Sequence, residues 1–252
     1  MEHVMKKRPV IGGTCIITKG AHGNIIYPHP EPYCKAVHNH GGIPVTIPAF
    51  LTVEEALRYL EIVDAMIFIG GPDIPSHRYN EEPLTEYCHF LPEEITDAHL
   101  ALVKAVLDSK MPFLGVCLGC QELNVGAGGK LIQHLYDLTP RHRNTYVDEE
   151  KNFRPDAYHF AELEEGSLLA ELFGSTRVRV NSCHHQALNP DFIGEGFKVI
   201  ARSTEDNVVE AIQRTDREFA LGVQWHPERI DDDEHRKRIF SALINAAGNY
   251  RS

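Results

Sequence analysis

Cys117 lies between Gly115 and Gly119, where two different hydrophobic patterns meet. Before it, Met111 to Val116 is a short apolar run that predicts a buried strand. After it, Gln121-Glu122-Leu123-Asn124 opens a helical pattern. A strand that turns into a helix through small-x-nucleophile-x-small is a nucleophile elbow. The turn is so tight that both flanking residues must be small. It lifts the sulfur to the top of a sheet and aims it at a helix N-terminus, whose free N–H groups favour a thiolate and hold an oxyanion.

The segments before the elbow alternate between strand and helix. Val10 to Ile17, Ile43 to Pro48 and Asp64 to Ile69 read as strands; a short helix around Tyr33 to Asn39 and a second over Val53 to Ile62 separate them. That alternation predicts a doubly wound, mostly parallel central sheet with helices on both faces. Pro72 to Leu91 breaks the rhythm as a long polar loop leaving a strand end, where α/β sheets bind ligands. Pro92 to Lys110 then predicts an amphipathic helix.

Beyond the elbow, Lys130 to Leu135 resumes as a strand, and Thr139 to Asp156 is a second polar loop. The C-terminal half has shorter strands with hairpin-like connections, near His159 to Ala161, Arg177 to Val180, Phe197 to Ala201, Val208 to Ile212 and Phe219 to Gln224. Helices over Ser167 to Phe173 and Asp231 to Asn249 complete the pattern. No linker, repeat or low-complexity stretch divides residues 1–252, which read as a single domain.

Composition narrows the function. The net charge of −11 and the lack of a basic stripe exclude nucleic acid and anionic membrane as partners. No apolar run is long enough to span a bilayer, and Met1 to Pro9 is followed by too short and glycine-rich a segment for a signal core. Six scattered cysteines make no disulfide framework and suit a cytoplasmic protein. The fifteen histidines include the pairs His38/His40 and His184/His185, but neither has a ligand spacing with carboxylates. No metal and no cofactor is expected. Cys117-Leu118-Gly119-Cys120 spells C-x-x-C, yet no second cysteine pair accompanies it, and Cys120 reads as an apolar contact under the elbow.

An elbow cysteine needs a base, and Gln224-Trp225-His226-Pro227-Glu228 is the compact candidate. It places His226 at a strand's C-terminal edge, with Glu228 able to turn back to the same imidazole and hold its tautomer.

The elbow together with Gln-Trp-His-Pro-Glu resembles the class I glutamine amidotransferase fold. Within it, three segments resemble the γ-glutamyl-γ-aminobutyrate hydrolase branch of cysteine hydrolases: Gly70 to Ile74 with Tyr79, Asn181 to Gln186, and Val208 to Ile212. The likeness runs in order from first strand to last helix. It implies Cys117 as nucleophile, His226 as base, Glu228 as its orienting partner, and the backbone N–H groups of Gly71 and Leu118 as oxyanion hole. It also implies substrate contacts at Gln121, Asn181, Ser182, His184, His185 and Tyr79. Tyr79 and His77 either close over substrate or pack their loop down.

Two positions depart from that branch: Leu118 stands where it usually carries arginine, and Pro75 comes one place early. Both bear on the leaving group rather than on the triad. The leading expectation is a hydrolase of small γ-glutamyl amides working through a cysteine thioester. The alternatives are a glutaminase subunit that hands ammonia to a separate synthetase partner, and a non-catalytic binding protein that keeps the fold. Self-association is left open.

Overall fold

The computed structural model describes residues 8–19, 25–26, 30–49, 51–135, 142 and 155–250. Met1 to Lys7 and most of the Thr139 to Asp156 loop therefore lie outside the described residues. The strands are β1 (Val10–Gly13), β2 (Thr18–Lys19), β3 (Ile25–Ile26), β4 (Ile43–Thr46), β5 (Ala65–Phe68), β6 (Phe113–Val116), β7 (Leu131–Ile132), β8 (Ala157–Leu163), β9 (Arg177–Ser182), β10 (Ala187–Leu188), β11 (Lys198–Ser203), β12 (Val209–Gln213) and β13 (Ala220–Val223). The helices are α1 (Glu31–Asn39), α2 (Val53–Arg58), α3 (Glu93–Asp108), α4 (Leu118–Gly126), α5 (Leu168–Phe173) and α6 (Asp233–Tyr250).

Nine strands form one sheet in the order β4-β1-β5-β6-β13-β12-β11-β8-β9. The first five are mutually parallel. From β13 onward each neighbour is antiparallel. This is the expected α/β architecture, with the antiparallel strands supplied by the C-terminal half.

The parallel strands are covered on both faces because their side chains alternate. In β5, Ala65 and Ile67 join a core with Val37 of α1, Leu169 of α5 and Ile239 and Phe240 of α6. Met66 and Phe68 point the other way, into a core with Ala56 of α2, Leu102 and Val103 of α3 and Leu123 of α4. A third apolar cluster gathers Cys15, Ile74, Tyr79, Leu91, Ile95 and Leu118.

Three expected boundaries move. The second helix stops at Arg58 and tightens into a 3₁₀ turn over Tyr59–Glu61 before the chain enters β5. The strand expected over Lys130 to Leu135 shrinks to two residues, because its partner β10 is only that long. The Pro72 to Leu91 loop holds a 3₁₀ turn at Ser76–Tyr79 and is closed at its base. Asp73 N–H donates to the His89 carbonyl at 2.9 Å, and the Asp73 carboxylate accepts the His89 N–H at 2.7 Å. The loop is thus a pinched excursion rather than an open strand exit.

Behind the elbow, His99 of α3 meets Glu122 of α4 in a buried pair, Nδ1 to Oε1 at 2.7 Å. The other ring nitrogen lies 3.1 Å from the Cys15 carbonyl. Both nitrogens face acceptors, so both donate, and the ring is an imidazolium. Burial opposes that charge, but Glu122 outweighs it and raises the His99 pKa.

Candidate active site

The junction of β6 and α4 has the backbone an elbow requires. Cys117 has φ 52° and ψ −105°, a region L-residues rarely occupy. Its N–H donates to Val223 of β13 at 2.8 Å, and the Gly119 N–H donates to the Ile69 carbonyl at 3.1 Å. The second bond explains the glycine: a Cβ at position 119 would sit 2.0 Å from the Phe68 carbonyl oxygen. The helix therefore starts directly against the end of β5.

His226 follows β13 and faces the elbow from the neighbouring strand. Its Nδ1 is 2.8 Å from Glu228 Oε1, and it is also hydrogen-bonded with Cys117. All three groups are buried. Burial disfavours charge on His226, but Glu228 and Cys117 more than offset it and push its pKa up to about 10. The imidazole is held as a cation beside the sulfur.

Close packing fixes this ring. A Cβ on Gly70 would meet His226 Cε1 at 2.8 Å, so only glycine leaves room for the imidazole. The Gly70 N–H donates to the Tyr33 hydroxyl at 3.0 Å. The His226 N–H donates to Asn181 Oδ1 at 3.2 Å, while Asn181 Nδ2 donates to Asp156 at 2.7 Å. Asp156 in turn takes both Arg229 donors, at 3.0 and 2.8 Å. Asn181, expected on the substrate side, thus braces the backbone of His226.

Gln121 and Gln224 form a second link to the sulfur. Gln121 Nε2 donates to Gln224 Oε1 at 3.3 Å and lies 3.4 Å from the Gln186 carbonyl; Gln224 Nε2 lies 3.6 Å from Cys117 Sγ. The sequence motif gives Gln224 a place at the strand end before His226 but no role of its own. Its amide contact with the sulfur depends on β13 lying beside β6, which local spacing does not encode.

The remaining expected residues separate. Gly71 lies against the Leu118 side chain at the mouth of the elbow. That side chain is buried, in the apolar cluster that also holds Tyr79. Tyr79 is buried too, with a hydroxyl that has no partner among the described residues. Ser182 Oγ donates to the His142 carbonyl at 2.9 Å. His184 Nδ1 donates to the Gln186 carbonyl at 2.8 Å, and burial, aided by His142, holds its pKa well below the ordinary imidazole range. His185 is half-buried between Asp73, at 3.0 Å, and His134, at 3.0 Å. Cys120 is wholly buried, and burial raises its thiol pKa well above normal, the state of an inert packing residue.

Comparison with known proteins fits this arrangement. The Peptidase C26 family model matches residues 9–228. Protein NtpR of Enterococcus hirae is 34% identical over 227 residues, covering 87% of this chain and 91% of that protein. The γ-glutamyl-γ-aminobutyrate hydrolase PuuD of Escherichia coli K12 is 30% identical over 260 residues, covering 99% of this chain and 97% of that protein. Among solved structures, the glutaminase domain of Trypanosoma brucei CTPS with bound acivicin has a TM-score of 0.63 at 14% identity. It covers 96% of this chain and 94% of that one, a likeness of fold. The chain belongs to the Peptidase C26 family, and with it to the cysteine-dependent, glutamine amidotransferase-like hydrolases.

Proposed function

We propose that the chain acts as one domain that hydrolyses γ-glutamyl amides of small amines, with Cys117 as nucleophile. The observation that carries this reading is the buried, hydrogen-bonded line Cys117–His226–Glu228 at a strained strand-to-helix turn.

The Cys117 thiolate attacks the γ-carbonyl carbon, and the oxygen takes the negative charge. The N–H groups of Gly71 and Leu118 receive that oxygen; Leu118 is the first residue of α4, where helix N–H groups have no carbonyl four residues back. His226 gives its proton to the nitrogen as the C–N bond breaks, releasing the amine and leaving a γ-glutamyl thioester. His226 then takes a proton from water, which attacks the thioester and frees glutamate and the sulfur. Glu228 keeps the imidazole oriented through both steps. Six free cysteines support a reducing compartment such as the cytoplasm. Among the described residues no helix is long and apolar enough to cross a membrane.

The test is glutamate and amine release from γ-glutamyl-γ-aminobutyrate by the native chain and by Cys117→Ala. Loss of at least three orders of magnitude with an unchanged melting curve is expected. Undiminished turnover by the variant overturns the mechanism.

A second reading follows from Leu118, which replaces the arginine common beside the nucleophile in the hydrolase branch. It makes the chain a glutaminase delivering ammonia to a synthetase. Glutamine hydrolysis that appears only with such a partner present favours it over the first.

A further inference from the structure

Below the elbow region, two ring nitrogens and a carboxylate converge in the interior. His184 follows β9, Glu210 lies within β12, and His142 is fastened beside them. The His142 carbonyl accepts the His184 N–H and the Ser182 hydroxyl, each at 2.9 Å. All three residues are buried, and one ligating atom from each lies within 4.8 Å of the others. His142 Nδ1 is 3.2 Å from His184 Nε2 and 3.4 Å from Glu210 Oε1; His184 Nε2 is 4.0 Å from the same oxygen.

Outer hydrogen bonds decide which nitrogens carry protons. His184 Nδ1 faces the Gln186 carbonyl at 2.8 Å, so it donates, and Nε2 is left with its lone pair. His142 Nε2 faces Asp206 Oδ2 at 2.9 Å, so it donates outward, and Nδ1 turns inward toward His184 and Glu210. His159 Nε2 donates to Glu210 Oε1 at 3.0 Å. His142 Nδ1, His184 Nε2 and the Glu210 carboxylate thus converge on one spot. Glu210 Oε2 is buried with no hydrogen-bond partner among the described residues.

We propose that His142, His184 and Glu210 form a buried mononuclear site for a borderline divalent ion, Zn²⁺, distinct from the cysteine centre. Zn–N and Zn–O bonds of about 2.0–2.2 Å in tetrahedral geometry put ligand atoms about 3.3 Å apart. Two of the three edges already have that length, and the third closes when Glu210 turns toward the ion. Each ligand has its own outer partner: Asp206 behind His142, the Gln186 carbonyl behind His184, His159 behind Glu210. This is the arrangement that orients metal-bound imidazoles and carboxylates. Two histidines and one carboxylate leave a fourth position for water.

The test uses tag-free protein, treated with chelator, desalted and titrated with ZnCl₂ against a chromophoric zinc indicator. One equivalent bound more tightly than about 1 μM is expected. His142→Asn and Glu210→Gln should each weaken binding at least 100-fold, and Asp206→Asn by about 10–100-fold. Co²⁺ added to the native chain should give an intense tetrahedral visible band without thiolate charge transfer, a result that requires no variant to fold. Absence of a stoichiometric tight site overturns the proposal. So does uptake that survives both ligand substitutions in folded protein, or a Co²⁺ spectrum that is octahedral or shows sulfur ligation. Metal content is read independently of turnover, so failure here leaves the γ-glutamyl reading standing.

Discussion

The indole Nε1–H of Trp225 donates to His235 Nε2 at 3.0 Å, tying the residue before His226 to the first turn of α6. Both side chains are buried. An accepting Nε2 must be unprotonated, and burial, opposed by Asp232, pushes the His235 pKa down to about 4. Between pH 4 and 6.5 the unfolded chain therefore binds a proton that the folded chain refuses, so stability rises with pH across that window. The rise attributable to His235 is roughly 3 kcal/mol at most. Urea midpoints measured from pH 4 to 7 should climb more steeply for the native chain than for His235→Gln, which keeps an acceptor but cannot titrate. Parallel profiles contradict this account.

Gly119→Ala should fail to fold well. The added methyl would lie 2.0 Å from the Phe68 carbonyl oxygen, a backbone atom with nowhere to retreat. A loss of about 3 kcal/mol or more is expected, read as poor soluble yield and a lowered Tm. Gly248→Ala is the contrast. It sits in α6 with no atom within 4 Å of the added methyl and should gain about 1 kcal/mol from helix propensity.

Cys117→Gly and Cys117→Ala should both be inactive, yet they should melt differently. At φ 52° and ψ −105° a Cβ is strained and glycine is not. The glycine chain should be more stable by about 1 kcal/mol after its larger unfolded-state entropy is counted, or about 2–4 °C in Tm. An alanine variant that melts higher than the glycine variant refutes strain at the elbow.

His99→Leu should cost about 3–5 kcal/mol, because it strips the buried Glu122 carboxyl of its partner while Oε2 already lacks one. Adding Glu122→Leu should recover a large part of the loss, since two apolar residues need no charge compensation. Chemical denaturation of the two single variants and the double variant gives the coupling directly. Simple additivity argues against the pair.

The features legible from sequence are those written within a few residues. Gly115-x-Cys117-x-Gly119 encodes a tight turn, and His226-x-Glu228 encodes an imidazole and its carboxylate. The alternation of Ala65, Met66, Ile67 and Phe68 between two cores is likewise a local period. What escaped has partners scattered along the chain. His142, His184 and Glu210 converge although β11 and β8 stand between β12 and β9 in the sheet. Gln224 reaches the sulfur only because β13 lies beside β6. Tyr79 is buried with Leu118 in a loop whose base is closed by Asp73 and His89, contacts its local sequence does not encode. The bond from the His226 N–H to Asn181 joins residues 45 positions apart and is likewise not written locally.

The pairing of β6 with β13 also makes chemistry contingent on completed folding. Cys117 and His226 follow adjacent strands although over a hundred residues of chain separate them. Contacts that close so large a loop form late, after the local turns and helices. Until they form, the thiol has neither the imidazole nor the Gln224 amide beside it, and a half-made molecule carries only an ordinary cysteine. Alkylation of Cys117 during refolding would then count finished molecules, and a cell would be spared a reactive sulfur on every chain still searching for its structure.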